Sequence, residues 1–168
     1  MIFTVENIKN YLDFLINEKN LYVTLHGAGI NKILTIEASG IAMAAMTGYV
    51  FSCPQVFAKK SKSKNISNDV YSVEVASFTH GNTNTVVVSK EYLSDKDRVL
   101  IVDDFLATGA ALVGLKALVE QAGGVVVGAG IAVEKVFQGG GDMLRSQGLR
   151  VESLAKIASM DDHGLKFC

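Results

Sequence analysis

Apolar residues along this chain fall into short unbroken runs, separated by longer stretches in which they recur at helical spacing. Lys32–Ile36, Gln55–Ala58, Arg98–Asp104, Val125–Val133 and Val151–Ile157 are runs of the first kind. They are short for helices and mostly carry β-branched residues, so they predict strands. Strands without polar alternation are those covered on both faces, as in a parallel sheet between helical layers. Glu6 to about Lys19 places Ile8, Leu12 and Leu15 at helical spacing, Ile41–Phe51 is dense in Ala and Met, and Gly109–Ala122 is closed by Gly123-Gly124. These segments predict helices, with a shorter one within Gly139–Gly148. Val70–Phe78 and Thr85–Ser89 predict a hairpin around His80–Asn84, and the small polar and charged residues from Ser61 to Asp69 predict a mobile surface loop. No repeat, low-complexity tract or linker interrupts the pattern, so one domain over residues 1–168 is expected. Strands alternating with helices predict an α/β fold: a doubly wound, mainly parallel sheet with helices on both faces and right-handed crossovers.

Composition narrows the class without changing that picture. A chain of 168 residues buries about two-thirds of its unfolded surface, enough for a core without disulfide staples. A hydrophobic fraction of 49% excludes a disordered chain. Sixteen Lys and Arg against seventeen Asp and Glu give a net charge of −1, without the basic excess of a non-specific nucleic-acid binder. No uncharged apolar run approaches the ~20 residues that span a bilayer, so no membrane partner is expected. Met1–Glu6 lacks a basic stretch leading into an apolar one, so no secretory signal is expected. Cys53 and Cys168 are too far apart for a disulfide framework or a zinc spacing, and two reduced thiols predict a cytoplasmic protein. His26, His80 and His163 are scattered with no metal-ligand spacing.

In an open parallel sheet, ligands bind beyond the carboxyl ends of the strands. Following the apolar runs there stand Glu37-Ala38-Ser39-Gly40, Lys59-Lys60, Asp103-Asp104 with Phe105 to Ala111, and Glu134-Lys135. This mixture of acids, lysines and small-residue turns suits a polyanionic ligand that also carries hydroxyl groups. Two adjacent carboxylates repel and call for a cation or hydroxyl donors, which ribose hydroxyls or Mg²⁺ supply. Thr108-Gly109-Ala110-Ala111 then enters a helix with no bulky side chain in the way, leaving backbone N–H groups and the positive helix end for an anion. A diol site beside a phosphate site describes a pocket for a ribose 5-phosphate. No Gly-x-x-x-x-Gly-Lys-Ser/Thr loop is present, and no Gly-x-Gly-x-x-Gly follows the first strand, which removes the main support for nucleoside-triphosphate and dinucleotide readings.

The segment Val99-Leu100-Ile101-Val102-Asp103-Asp104-Phe105-Leu106-Ala107-Thr108-Gly109 resembles the phosphoribosyl pyrophosphate (PRPP) signature of the type I phosphoribosyltransferases. From about Gly29 onward the chain is similar to the bacterial xanthine branch of that family, through Thr35–Ala42, Val56–Lys60, Leu93–Asp97, Ile131–Lys135 with Phe137-Gln138, and Val151–Ala155. The resemblance implies transfer of a phosphoribosyl group from PRPP to xanthine with Mg²⁺, giving xanthosine monophosphate and pyrophosphate, in a homodimer. It implies that Asp103 and Asp104 face the ribose hydroxyls and the charge developing at the anomeric carbon. Ala107, Thr108, Gly109, Ala110 and Ala111 would hold the 5-phosphate, and Glu37, Ala38, Ser39 and Gly40 would meet pyrophosphate. Lys59 and Lys60 would be its cationic partners, within one subunit or across a dimer interface. Lys135 would donate to a purine carbonyl, Phe137 would pack near the base, and Ser61 to about Asn68 would form the front of a lid. Two departures stand out. Met1–Asn10 does not reproduce the family's purine-covering hood, so a reduced hood is expected. The branch's Asn and Gln are replaced by Thr108 and Ala110, while Thr-Gly is the general form of the phosphate loop. The alternatives are a non-catalytic or poorly active PRPP-binding regulatory protein of the same fold, or an enzyme for guanine or hypoxanthine.

Overall fold

The computed structural model describes residues 27–60, 69–76, 83–161 and 164–168. The helix expected over Glu6–Lys19, the Met1–Asn10 hood, residues 61–68 of the expected lid and most of the hairpin turn lie outside them. Eight strands are described: β1 (Lys32–Ile36), β2 (Gln55–Ala58), β3 (Val70–Ala76), β4 (Thr83–Ser89), β5 (Arg98–Leu106), β6 (Val125–Lys135), β7 (Val151–Asp161) and β8 (Gly164–Phe167). The helices are α1 (Ile41–Phe51), α2 (Ala110–Gln121) and α3 (Gly140–Ser146), with single 3-10 turns at Lys90–Tyr92 and Val136–Gln138.

The main sheet has the order β2-β1-β5-β6-β7-β8. Every neighbouring pair is parallel except β7 with β8. From β1 the chain first runs outward to β2, then returns to the other side of β1 to lay down β5. The reversal falls between β1 and β5, and a crevice opens at the carboxyl ends of strands that part in this way.

Strand alternation divides the core into two layers. Ile33, Leu100 and Val102 cluster with Met43 and Ala44 of α1 on one face. Leu34, Ile36, Val99 and Ile101 cluster with Leu112, Leu115, Leu118 and Val119 of α2 on the other. Burying each such Leu or Ile stabilises the fold by about 1.5–3 kcal/mol. The expectation of helices on both faces is therefore met. The β3–β4 hairpin forms a separate antiparallel pair, and its Val75, Val86 and Val88 join the α2-side core. It is stitched to the end of β2 by reciprocal backbone bonds between Lys59 and Val87, both 2.9 Å.

Several boundaries differ from the sequence pattern. β5 continues past Asp104 to Leu106, because Phe105 and Leu106 still find partners in Val133 and Glu134 of β6. The two acids therefore lie within the strand rather than at its tip. β4 begins at Thr83, ahead of the expected Thr85, and β6 runs to Lys135. β7 extends to Asp161 because it pairs with β8, an exposed edge strand whose sequence carries no apolar run.

Candidate active site

A cleft of about 200 Å³ opens at the β1/β5 reversal. One wall is Glu37 and Ser39 from the turn after β1, with Lys60; the floor is Asp103 to Leu112; the far wall is Val75, Ala76, Asn84 and Val86 of the hairpin.

Asp103 is nearly sealed, at 5% exposure. Its Oδ1 accepts the backbone N–H of Asp104 at 3.0 Å. Burial pushes its carboxyl up to about 8, and the charge of Asp104 and a hydrogen bond between the two side chains add to this. The Asp104 N–H and the Lys60 ammonium act in the opposite direction without prevailing. A carboxyl in this state holds its proton near neutral pH and gains stability when a cationic or hydroxyl-bearing group reaches it.

The segment Ala107–Gly109 joins β5 to α2. Gly109 stands at the helix N-cap with φ +87, a conformation that L side chains rarely adopt, and no side chain caps the helix there. The first-turn N–H groups have no intrahelical acceptors and lie at the positive end of the helix, which favours an anion. The loop is braced from behind by α3. Gly140 N–H donates to Ala107 O at 3.2 Å, and a Cβ at Gly140 would collide with that carbonyl.

The turn after β1 is equally tight. Glu37 N–H donates to Ala58 O at 3.0 Å, and the Glu37 carboxylate accepts Lys60 N–H at 2.7 Å. The Glu37–Ala38 peptide is cis. A Cβ at Gly40 would collide with Thr35 Oγ1 and stand 3.1 Å from Asp103 Oδ1. Only glycine lets this turn approach the buried acid so closely.

Of the residues singled out in the sequence, Glu37, Ser39, Lys60, Asp103, Asp104 and Ala107 to Ala111 share the cleft. Ala38 and Gly40 complete the turn behind its wall. Lys59 is not in the wall; its backbone is spent on Val87. Lys135 Nζ lies 5.4 Å from the centroid of the Phe105 ring, itself a cleft residue. Phe137 is 47% exposed and outside the wall. Asn84 is a polar wall residue with no cue in the sequence, since only hairpin pairing carries it there. The Gly139-Gly140-Gly141 run is a visible signal for the brace behind the loop before α2. No cluster of three or more His, Cys, Asp or Glu side chains able to hold a metal occurs among the described residues.

The phosphoribosyl transferase domain family matches residues 2–140. The chain belongs to the phosphoribosyltransferase family. It is 50% identical over 155 residues to the xanthine phosphoribosyltransferase of Alkaliphilus metalliredigens, covering 91% of this chain and 77% of that protein. It is 54% identical over 138 residues to that of Ruminiclostridium cellulolyticum, covering 82% and 73%. Among solved structures, adenine phosphoribosyltransferase from Thermoanaerobacter pseudethanolicus superposes with a TM-score of 0.74 at 27% identity, over 90% of this chain and 83% of that one. The adenine phosphoribosyltransferase of Rhodothermus marinus, at 23% identity and a TM-score of 0.75 over 91% and 81%, shares the fold. In this family member the two aspartates and the loop before α2 form the floor of the cleft, and the turn after β1 forms one wall.

Proposed function

We propose that this phosphoribosyltransferase transfers the phosphoribosyl group of PRPP to xanthine, releasing pyrophosphate and forming xanthosine monophosphate for purine salvage, within a single domain. The observation that carries the reaction type is the shared cleft, in which the paired aspartates and the uncapped start of α2 face the same space. The choice of xanthine is supported by relatives of that name at 50–54% identity.

Each residue then has a definite task. The N–H groups of Ala107 to Ala111, with the Thr108 hydroxyl, hold the 5-phosphate at the helix end. Asp103 and Asp104 receive the ribose hydroxyls and face the anomeric carbon as the bond to pyrophosphate breaks; a preorganised acidic pair needs no reorientation at that moment, and Asp103 adds its negative charge once cationic groups of the bound ligand have displaced its proton. Glu37 to Gly40 and Lys60 meet the departing pyrophosphate, with Lys59 beside them. Lys135 donates to a purine carbonyl, with Phe137 near the base. Holding base and sugar in line replaces a two-body encounter with an oriented one.

The donor set fits Mg²⁺ only as a shared ion. Two adjacent carboxyl groups, Asp103 and Asp104, with no third metal-ligating side chain clustered beside them among the described residues, suit a metal that keeps most of its ligands from phosphate oxygens and water. Asp103 and Asp104 would hold the ion together with PRPP, and it would supply neutralisation of charge on the leaving group.

A homodimer is part of the same reading. α1 contains no charged residue, and its outward side shows Ala42, Ala45 and Tyr49, the last 81% exposed. A second copy of this chain would cover that apolar face. The reduced thiols of Cys53 and Cys168 accord with work in the cytoplasm.

The deciding experiment incubates the pure protein with PRPP, Mg²⁺ and xanthine, guanine or hypoxanthine in turn, and follows nucleotide and pyrophosphate. Xanthosine monophosphate is expected to form fastest. No product with any base overturns the reading, and faster turnover of guanine or hypoxanthine overturns the choice of base.

A further inference from the structure

Behind the purine side of the site lies a buried charge cluster that none of the assigned roles uses. Neighbours on a strand face opposite ways, so Glu134 points away from Lys135. Its side chain is 1% exposed. Arg145 of α3 grips it with both terminal nitrogens, at 2.8 Å to Oε1 and 2.6 Å to Oε2. Ser153 Oγ of β7 donates to Oε2 at 2.5 Å. Arg145 Nε also donates to Val151 O at 3.3 Å. Gly141 leaves the room: a Cβ there would collide with Glu134 Oε1. Burial alone would raise the Glu134 carboxyl, but the bonds from Arg145 and Ser153 outweigh it and hold the group below its ordinary range.

A buried ion pair gives little net stability over well-packed apolar residues, so stability alone does not account for this convergence of β6, α3 and β7. The geometry suggests another role. The Glu134–Arg145 bond closes a loop that contains Lys135, the 3-10 turn with Phe137, and the start of α3. That same start donates from Gly140 to Ala107 of the phosphate loop.

We propose that the Glu134–Arg145–Ser153 cluster is a clamp of positioning residues, which fixes the end of β6 so that Lys135 presents its ammonium beside Phe105 of the cleft floor. This rests on the assignment of Lys135 to the purine.

The test compares affinities for xanthosine monophosphate and for PRPP by titration calorimetry. Wild type, Lys135→Ala, Ser153→Ala, Arg145→Lys, Arg145→Met and Glu134→Gln are measured below their melting temperatures. Arg145→Met and Glu134→Gln should lose nucleotide affinity about 10-fold, or roughly 1.4 kcal/mol, with PRPP affinity changed less than about twofold. Arg145→Lys should recover part of the loss, and Ser153→Ala should lose less than Arg145→Met. Combined with Lys135→Ala, Arg145→Met should add almost nothing, because a clamp acting through Lys135 has no target once the lysine is gone. Additive losses, or equal losses for both ligands, overturn the clamp. If Arg145→Met or Glu134→Gln does not fold, Ser153→Ala and Arg145→Lys carry the same comparison. Clamp variants that bind like wild type while Lys135→Ala weakens the nucleotide overturn this inference alone. An unchanged affinity in Lys135→Ala overturns the purine assignment and the clamp with it.

Discussion

Asp103 concentrates the chemistry of the site at one carboxyl. Its folded-state value of about 8 lies far above its ordinary 3.8. Between those limits the folded chain holds a proton that the unfolded chain has lost, so stability must fall as pH rises from about 4 to about 8. Without PRPP or Mg²⁺, urea unfolding across that range should show a slope of up to about 1.4 kcal/mol per pH unit. Asp103→Asn should flatten it; an unchanged slope would mean that another group is responsible. The proposed mechanism pairs the same carboxyl with Asp104. Replacing both by Asn should cut kcat by orders of magnitude, with a far-ultraviolet spectrum like that of wild type. Unchanged kinetics would remove both residues from the ribose.

Among the elements, α3 looks minor, a single short helix, yet two of its glycines hold the site in shape. Gly140 lets its N-terminus press against the loop before α2, and Gly141 makes room for the buried glutamate. A methyl at Gly140 meets Ala107 O and the backbone of Thr108, so the loop before α2 must move. Gly140→Ala should raise the KM for PRPP about 10-fold, near 1.4 kcal/mol of lost binding, and affect the purine KM less; steady-state kinetics with each substrate varied in turn checks this. α2 shows a contrasting case. A Cβ at Gly114 would collide with Val75 Cγ2 of the hairpin, away from the phosphate loop. Gly114→Ala should cost about 1–3 kcal/mol of stability through overpacking, read as a lower urea midpoint. An unaltered midpoint would show that the hairpin gives way freely.

For the molecule as a whole, this chain, whose sequence relatives are xanthine phosphoribosyltransferases, shares its scaffold with a solved adenine phosphoribosyltransferase. Fold therefore does not select the base here; side chains around the rim must. No helix among the described residues is long and apolar enough to cross a membrane. The uncharged α1 face is the feature that a lone subunit leaves unexplained. Sedimentation should find a dimer, and Tyr49→Glu should shift it toward monomer by placing a charge in the buried centre of the contact. A wild-type monomer at micromolar concentration would refute the α1 interface.

The sequence by itself determined the alternation of strands and helices, since Val99–Val102 and Ile33–Ile36 are apolar enough to require burial on both faces. It also marked the loop before α2 and the paired acids, because their chemistry is local: consecutive residues supply both the charge and the bare helix start. Tertiary structure alone decided what depends on residues distant in the chain. β8 exists because β7 offers it an edge, not because its own letters call for a strand. Asn84 reaches the cleft only through hairpin pairing. Glu134 is committed to Arg145 and Ser153 rather than to ligand because the sheet turns alternate residues to opposite sides. The elevated proton affinity of Asp103 likewise comes from packing, since burial, its largest cause, cannot be read from two adjacent aspartates.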